Sequence, residues 1–356
     1  MAIAGERKVA AACACVVLAM PAFRVERADA HHAITANFDP TRTTELQGVV
    51  VDFRFRSPHS YLVLEGVGVV DGVRQSEAPV RWQVESHSVP GMRNLGIDQS
   101  TFSPGDTISI SGFPSRRNAA SLMLGTAFVG ADGSRYAESP PTQGTVAVAA
   151  KGIQRLTGRW RSPGYINGPD TPLPLNAAGR TAWENYDPIE SPAAKCETQS
   201  IPGVFSAPYL SELRISADSV FIRNEAYDVR RTIALSDSYV PANSNGSFGE
   251  ARARIDGDTL IIESRGYPPS GWGLGIATHV NGGGADIPSS DRKTLIEPYS
   301  VSEDGQTLTL AYTLSDPAYM TAPYNGQFDL NRVAPDTPIY DYVCDLQSAA
   351  EFARDP

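Results

Sequence analysis

Asp304-Gly305-Gln306-Thr307-Leu308-Thr309-Leu310-Ala311-Tyr312-Thr313-Leu314 reads as a tight turn followed by a strand with two unlike faces. Leu308, Leu310, Tyr312 and Leu314 fall on one side of that strand, and Thr307, Thr309, Ala311 and Thr313 on the other. A period of two is the mark of a strand with one buried face, and Asp-Gly ahead of it is a hairpin signal. The same grammar recurs on both sides. Leu213–Ile215 and Val220–Glu225 join at Ala217-Asp218, and Val229–Leu235 follows. Ala251–Ile255 and Thr259–Arg265 flank Asp256-Gly257-Asp258, Lys293–Ser302 precedes Asp304, and Gln327–Val333 and Ile339–Cys344 end the series. About eight meandering antiparallel strands close most economically into an up-and-down barrel of the lipocalin sort, which removes exposed edges and can enclose one small ligand. Leu175–Tyr186 (LNAAGRTAWENY) predicts the one short helix of this half, with Asn176 as its cap and Asp187-Pro188 as its stop.

The first half spells a different β unit. Glu45–Phe55 (ELQGVVVDFRF) is a long strand with Gly48 inside it, the usual mark of a bulge or bend. Ser60–Gly66 and Val80–Glu85 give two more strands. Ser88–Leu95 is suited to one or two helical turns capped by Ser86 or Ser88, and Ser103–Pro114 (SPGDTISISGFP) and Leu122–Val129 add the last two strands. Five strands with a short helix between the third and fourth is the order of an OB-type barrel. Phe53, Phe55, Tyr61 and Trp82 alternate with apolar neighbours and so read as its core rather than as a platform for bases.

The fold class expected is therefore all-β: an N-terminal OB-like five-stranded barrel plus a C-terminal antiparallel lipocalin-like barrel. The division is residues 1–30 as a signal peptide, 31–137 as the OB-like domain, 138–155 as a linker with paired prolines, and 156–356 as the second barrel. Arg7 and Lys8 precede the apolar run Val9–Met20, and Ala28 and Ala30 stand where a signal peptidase reads, so the product is expected in the periplasm or secreted. No later stretch approaches the ~18 apolar residues of a membrane-spanning helix. Cleavage leaves 326 residues and removes four basic and three acidic side chains, which takes the formal charge from −10 to −11. So acidic a surface repels nucleic-acid phosphate and anionic lipid. Of the four cysteines, Cys13 and Cys15 leave with the signal. Cys196 and Cys344 remain, outside any CxxC pattern, and in an oxidising compartment they read as a disulfide worth about 4 kcal/mol by chain entropy.

Ala30-His31-His32-Ala33, Phe38-Asp39-Pro40, ELQGVV and Ser57-Pro58-His59-Ser60 together resemble a family of bacterial exported proteins of unknown function. That family shows an AHHS start, a TLTGTV strand and an NPHS turn; here Ala33 replaces the usual serine and Ser57 the usual asparagine, while the histidines match. LTGRW, the YDP stretch through Cys196, DGDTLIIES and the terminal YVCD resemble a region often fused to that domain. The resemblance implies export and architecture and carries no activity.

Two constellations carry candidate chemistry. Cleavage before His31 gives a free amine and an imidazole on one residue, and His32 and His59 add further imidazoles, a nitrogen-rich set that favours copper(II). The alternative is a solvated tail and a turn-capping His59. The second constellation is Arg223, Arg230, Arg231, Arg252, Arg254 and Arg265 on neighbouring strands, with Glu225, Asp228 and Glu263 nearby; Arg230, Arg252, Arg254, Glu263 and Arg265 are the pocket residues expected. Facing inward, they would line a pocket for an acidic or carboxylated ligand; facing outward, they would form cross-strand ion pairs. The Gly271–Gly284 run reads as a loop, with Trp272 a candidate for a lid over the barrel mouth. No Gly-x-Ser-x-Gly elbow, His-Glu-x-x-His, Walker loop or dinucleotide fingerprint is present. The function expected is that of an exported binding or accessory protein taking copper or a small-molecule ligand. The competing classes are an enzyme acting on a small apolar or carboxylated substrate in the second barrel, and a structural envelope protein.

Overall fold

Strand β1, Thr44–Arg54, buries Thr44, Leu46, Gly48 and Val50 and turns Glu45, Gln47 and Val49 to solvent, so a single alternation fixes its inner face. The computed structural model describes residues 38–137, 146–162, 172–186, 192–198, 200–206, 209–276 and 286–354. After β1 come β2 (Tyr61–Val70), the two-residue β3 (Val73–Arg74), β4 (Val80–Glu85), helix α1 (Val89–Asn94), β5 (Thr107–Pro114), β6 (Leu122–Val129) and β7 (Arg135–Ala137). The order β1-β5-β6-β4-β2 closes because β1 pairs with both β5 and β2, and β4 runs parallel to β6. This is the five-stranded OB-type barrel, with the helix between its third and fourth barrel strands. Ser88 caps that helix by accepting from Gly91 N. The bulge of β1 falls between Val50 and Asp52 rather than at Gly48. Gly48 instead lies opposite Gly66, where a Cβ would sit 2.7 Å from Glu65 O; the glycine pair lets two backbones approach at the tightest crossing. The interior is mostly apolar, with Thr44 and Ser86 also buried: Leu46, Leu62, Leu64, Trp82, Val84, Met92, Ile108, Ile110 and Phe128 form one cluster, and Phe53 and Phe55 pack against it.

The second sheet begins with β8 (Gly158–Arg161) and, after α2 (Ala177–Glu184), continues as β9 (Leu210–Ile215), β10 (Ser219–Asn224), β11 (Val229–Ala234), β12 (Val240–Pro241), β13 (Glu250–Asp256) and β14 (Thr259–Arg265). A side hairpin of β15 (Ser270–Ile276) and β16 (Asp286–Ser289) precedes β17 (Thr294–Val301), β18 (Thr307–Ser315) and β19 (Tyr324–Val333), and α3 (Leu346–Arg354) ends the described chain. The ten strands run β11-β10-β9-β8-β19-β18-β17-β14-β13-β12, every neighbouring pair antiparallel. The two ends meet: Thr232 N donates to Ala242 O at 2.9 Å and Ser236 N to Ala253 O at 3.2 Å. The sheet thus closes into an up-and-down antiparallel barrel of lipocalin type. Leu308, Leu310, Tyr312 and Leu314 are buried as their alternation requires.

Three expectations change. Ile339–Cys344 is not a strand, because β19 already pairs on both sides, with β18 and β8, and offers no free edge. That segment is held instead by side chains and by a single backbone bridge between Ser57 and Cys344. Part of the glycine-rich loop is the ordered strand β15, with Trp272 4% exposed in the packed interior. The second half also carries α3 besides the expected α2, which Asn176 caps through Gly179 N at 2.9 Å.

The barrels meet around the Ser57-Pro58-His59-Ser60 turn. Asp345 N donates to Ser57 O at 2.8 Å, the Ser88 and Tyr209 hydroxyls lie 2.7 Å apart, and Asn94 Nδ2 donates to Glu225 Oε2 at 3.0 Å. The Cys196–Cys344 disulfide, joining residues 148 positions apart, ties the entry of the second half to its exit beside that contact.

Candidate functional site: a polar seam inside the second barrel

Burial on β11 follows the pattern Val229 in, Arg230 out, Arg231 in, Thr232 out, Ile233 in. The inward face therefore delivers a guanidinium into an apolar interior. On the facing wall Leu295, Glu297 and Tyr299 share the buried parity of β17, and Lys293 just ahead of the strand is buried too. Arg231, Lys293 and Glu297 are all 0% exposed.

Arg231, Ser264, Glu297 and Tyr299 form one hydrogen-bonded polar seam, and Lys293 adjoins it over the Tyr267 ring. Arg231 crosses the interior to Glu297 as a two-pronged ion pair, Nη1 to Oε1 at 2.9 Å and Nη2 to Oε2 at 2.7 Å. Arg231 Nη2 also donates to Ser264 Oγ at 3.0 Å, and the Tyr299 hydroxyl donates to Glu297 Oε1 at 3.0 Å. Burial works against the guanidinium's charge, but the Glu297 carboxylate outweighs it and raises the Arg231 pKa above its ordinary value. Burial pushes the Tyr267 phenol up to about 12 and the Tyr299 phenol well above its usual range, so both act as neutral donors. Tyr267 lies under Lys293, with Nζ 4.5 Å from its ring centre. Among the described residues, two donors of the seam have no hydrogen-bond acceptor, Arg231 Nε and the Tyr267 hydroxyl. Ser264, which accepts from Arg231, opposes the rise of the Tyr267 pKa through a hydrogen bond to the phenol oxygen, so it is the phenol's own hydrogen that lacks an acceptor.

At the end of the seam, Lys293 Nζ lies 2.6 Å from Ser200 Oγ and donates to Ile201 O at 2.7 Å and to Gly273 O. Burial lowers its pKa to about 7, and Glu297 and Asp316 oppose that shift at longer range. The surroundings are apolar: Ile201, Val204, Phe205, Leu274 and Ile287 belong to the barrel's core cluster.

The arginines singled out by composition lie elsewhere. Ala251 and Ala253 occupy the inner face of β13, which turns Arg252 and Arg254 outward, and Glu263 and Arg265 share the outer face of β14. There they pair across strands: Arg252 with Glu263 at 2.7 Å, Arg254 with Glu263 at 3.9 Å and Arg265 with Glu250 at 3.7 Å. Arg230 is likewise outside, paired with Asp228 and Asp341 at 2.8 and 3.2 Å. The inward placement of Arg230, Arg252, Arg254, Glu263 and Arg265 is thus corrected to an outer ladder of ion pairs. Arg231, named with them, is the one that enters the barrel, one position from Arg230 and in phase with Val229 and Ile233; Glu297 and Lys293 are the partners the sequence reading did not single out.

Of the nitrogen set, His31 and His32 lie outside the described residues, as do residues 1–30, where the signal peptide is expected. His59 Nδ1 sits 3.0 Å from Glu85 Oε1 in the turn between the barrels. Among the described residues no group of three or more His, Cys, Asp or Glu side chains is placed to hold a metal ion, and no helix is long and apolar enough to cross a membrane.

The class of protein defined here is a two-barrel β protein with a charged seam enclosed in its second barrel. Residues 21–123 match DUF6152, a family of unknown function. No curated protein matches the chain. Among solved structures, apo lipid binding protein 8 (LBP-8) of Caenorhabditis elegans is similar over 52% of this chain and 100% of its own, with 8% identity and a TM-score of 0.28. So low a TM-score adds nothing to the architecture read from the strands themselves.

Proposed function

We propose that this is an exported binding protein whose second barrel holds one small, largely apolar molecule by a single acceptor group. The observation that carries this reading is the pair of buried donors without partners, Arg231 Nε and the Tyr267 hydroxyl, in a seam whose other members are satisfied. A buried donor left unpaired costs about 1–3 kcal/mol, which an acceptor oxygen on a ligand would recover. Because Glu297 already neutralises Arg231, the acceptor need carry no charge; a carbonyl, ether or carboxyl oxygen suffices. The apolar wall around the seam fits the rest of the molecule. Native mass spectrometry of protein recovered after export should find a mass beginning at His31 and an organic adduct of one per chain. Binding of dansyl-undecanoic acid should weaken about tenfold in Tyr267→Phe, the loss of one hydrogen bond of roughly 1.4 kcal/mol. Equal binding in Tyr267→Phe and Arg231→Lys would sink the reading.

A second reading places copper(II) on His31, His32 and His59. The observation favouring it is the Glu85 carboxylate beside His59 Nδ1, the outer-shell contact that commonly orients a metal-binding imidazole. One copper ion per mature chain, lost in His31→Ala and released below about pH 6 as amine and imidazoles protonate, is the expected result. Mature protein that takes up no stoichiometric copper disposes of it.

A further inference from the structure

We propose that Ser200 and Lys293 form a nucleophile–base pair that cleaves carboxylic esters of apolar acids at the edge of the second barrel. The inference shares with the ligand-binding reading only the apolar interior and stands on other residues.

Ser200 Oγ and Lys293 Nζ are 2.6 Å apart. Ser200 is half-buried, whereas Lys293 is sealed at 0% exposure. Among the described residues Lys293 makes no ion pair, which is unusual for a fully buried lysine. A neutral amine has two hydrogens and one lone pair. Nζ donates to Ser200 Oγ, Ile201 O and Gly273 O, the three acceptors an ammonium needs; once it has lost a proton, two hydrogens can stay on the carbonyls and the lone pair turns to the Ser200 hydroxyl. Among the described residues the other acceptors within reach of Ser200 Oγ are the same two carbonyls, farther off at 3.3 and 3.4 Å, so the deprotonated amine is the best acceptor for its proton. The lowered lysine pKa, about 7, agrees with this geometry and places the base near its optimum at neutral pH.

A second observation points to the same place. Ser289 is 3% exposed, and its hydroxyl has no partner among the described residues. It presses on the Cα of Gly273, where an added Cβ would fall 1.7 Å from Ser289 Oγ. Glycine at 273 therefore makes room for an uncommitted donor against the Cα of the residue whose carbonyl holds Lys293. Such a donor suits an oxygen on which negative charge develops. Val204, Phe205 and Leu274 nearby supply an apolar wall for the acyl group.

In the step proposed, Ser200 Oγ bonds to the ester carbonyl carbon while its proton passes to Lys293 Nζ. The carbon–oxygen bond to the alcohol breaks, and the leaving alkoxide takes that proton. Water then attacks the acyl-serine, gives a proton to Nζ, and releases the acid as Oγ recovers its hydrogen.

The test uses the full mature chain with a fluorophosphonate probe and p-nitrophenyl butyrate. Peptide mapping should locate the phosphonyl group on Ser200, with labelling rising with pH through a midpoint near 7. Ser200→Ala should abolish labelling and turnover, and Lys293→Met should reduce both at least a hundredfold. Since Lys293→Met can alter packing, near-ultraviolet circular dichroism checks its fold. Ser200→Cys supplies the independent readout: its alkylation by iodoacetamide should be faster with Lys293 in place than in the Ser200→Cys/Lys293→Met double variant, which has no amine at that position. Folded wild-type protein that leaves Ser200 unlabelled, or labelling indifferent to Lys293→Met, overturns the proposal. Either failure leaves dansyl-undecanoic acid binding untouched, so it is distinguishable from failure of the ligand-binding reading.

Discussion

The two barrels solve the same closure problem with opposite interiors. The first is filled by Leu46, Leu62, Leu64, Trp82, Ile108, Ile110 and Phe128, and its buried carboxylate, Glu85, sits at the junction facing His59. The second encloses Arg231, Glu297 and Lys293 at 0% exposure among the apolar side chains of its own core. Other buried charges there have evident structural duties: Asp316 caps the Ser290 and Ala318 amides, and Arg332 binds the carbonyls of Gly305 and Thr157 over the Trp160 ring. Arg231–Glu297 joins no loop and caps no helix. A buried ion pair is often no more stabilising than an apolar replacement of equal size, so stability alone does not explain it. The difference teaches that the first interior is accounted for by packing, whereas the second encloses charged groups that packing alone does not explain.

The largest expected effect tests that asymmetry directly. Arg231→Met or Glu297→Gln alone strands a buried group and should cost about 3–5 kcal/mol in urea unfolding. The double variant Arg231→Met/Glu297→Leu should regain most of that loss while failing to bind dansyl-undecanoic acid. Single variants costing under about 1 kcal/mol would mean the seam is wet, and the contrast between the barrels would collapse.

Lys293 gives the next effect, spread over pH. Its pKa is lowered to about 7 in the folded chain and returns to the ordinary value of 10.5 on unfolding, so between those values the unfolded chain binds the extra proton. Stability from this group therefore rises with pH across that window, by about 1.4 kcal/mol per pH unit, and is flat below pH 7. Lys293→Met should remove that slope, as followed by urea midpoints from pH 6 to 10. A slope that survives the substitution belongs to some other group.

Glu225 tests the junction where the two interiors come closest. Its carboxylate is 0% exposed and accepts from Leu210 N, Tyr340 N and Asn94 Nδ2 at 3.0, 2.8 and 3.0 Å. Burial raises its pKa, with those hydrogen bonds opposing. All three partners are donors, so Glu225→Gln must turn an NH2 toward one of them and should cost about 1–3 kcal/mol. Denaturation followed separately by tryptophans of the two barrels should show them uncoupling. Unchanged, coincident transitions would assign Glu225 no part in the junction.

Much of this asymmetry was written in the strand parity, and some was not. Gly305 and Gly257, at φ of 76° and 61°, sit in the turns that Asp-Gly announced. Leu308 to Leu314 and the Ser88-capped helix stand where alternation and capping put them. Arg231 was legible in the same way, since it shares parity with Val229 and Ile233, as Glu297 does with Leu295 and Tyr299. On β13 the signal failed because alanine is a weak marker of the inner face, and an Ala-Arg alternation reads equally well with either side inward. Ser200 and Lys293 had no local signal at all; 93 positions separate them, and the fold of the second barrel alone brings them together. Ile339–Cys344 alternates like a strand but finds no open edge, a fact fixed by the pairing of β19 and not by its own residues.

The smallest effect is expected on the outer face of the second barrel, and it sharpens the comparison from inside the same strands. Arg252 and Glu263 are bonded at 2.7 Å, with Tyr239 donating to Glu263 and lying under Arg252 and Arg265 at 4.7 and 3.9 Å. The geometry is good, but Arg252 retains 34% of its side-chain exposure, and water screens the pair. Arg252→Ala should therefore shift the urea midpoint only slightly, and less still in high salt. It should leave both dansyl-undecanoic acid binding and Ser200 labelling unchanged, although Ala251 and Ala253 beside it line the interior. A loss of binding in Arg252→Ala would turn this face inward after all and move the ligand to the outer ladder. Two neighbouring arginines that face opposite ways, Arg230 and Arg231, make the same point within a single strand: what a charge does here is decided by the side of the sheet on which parity places it.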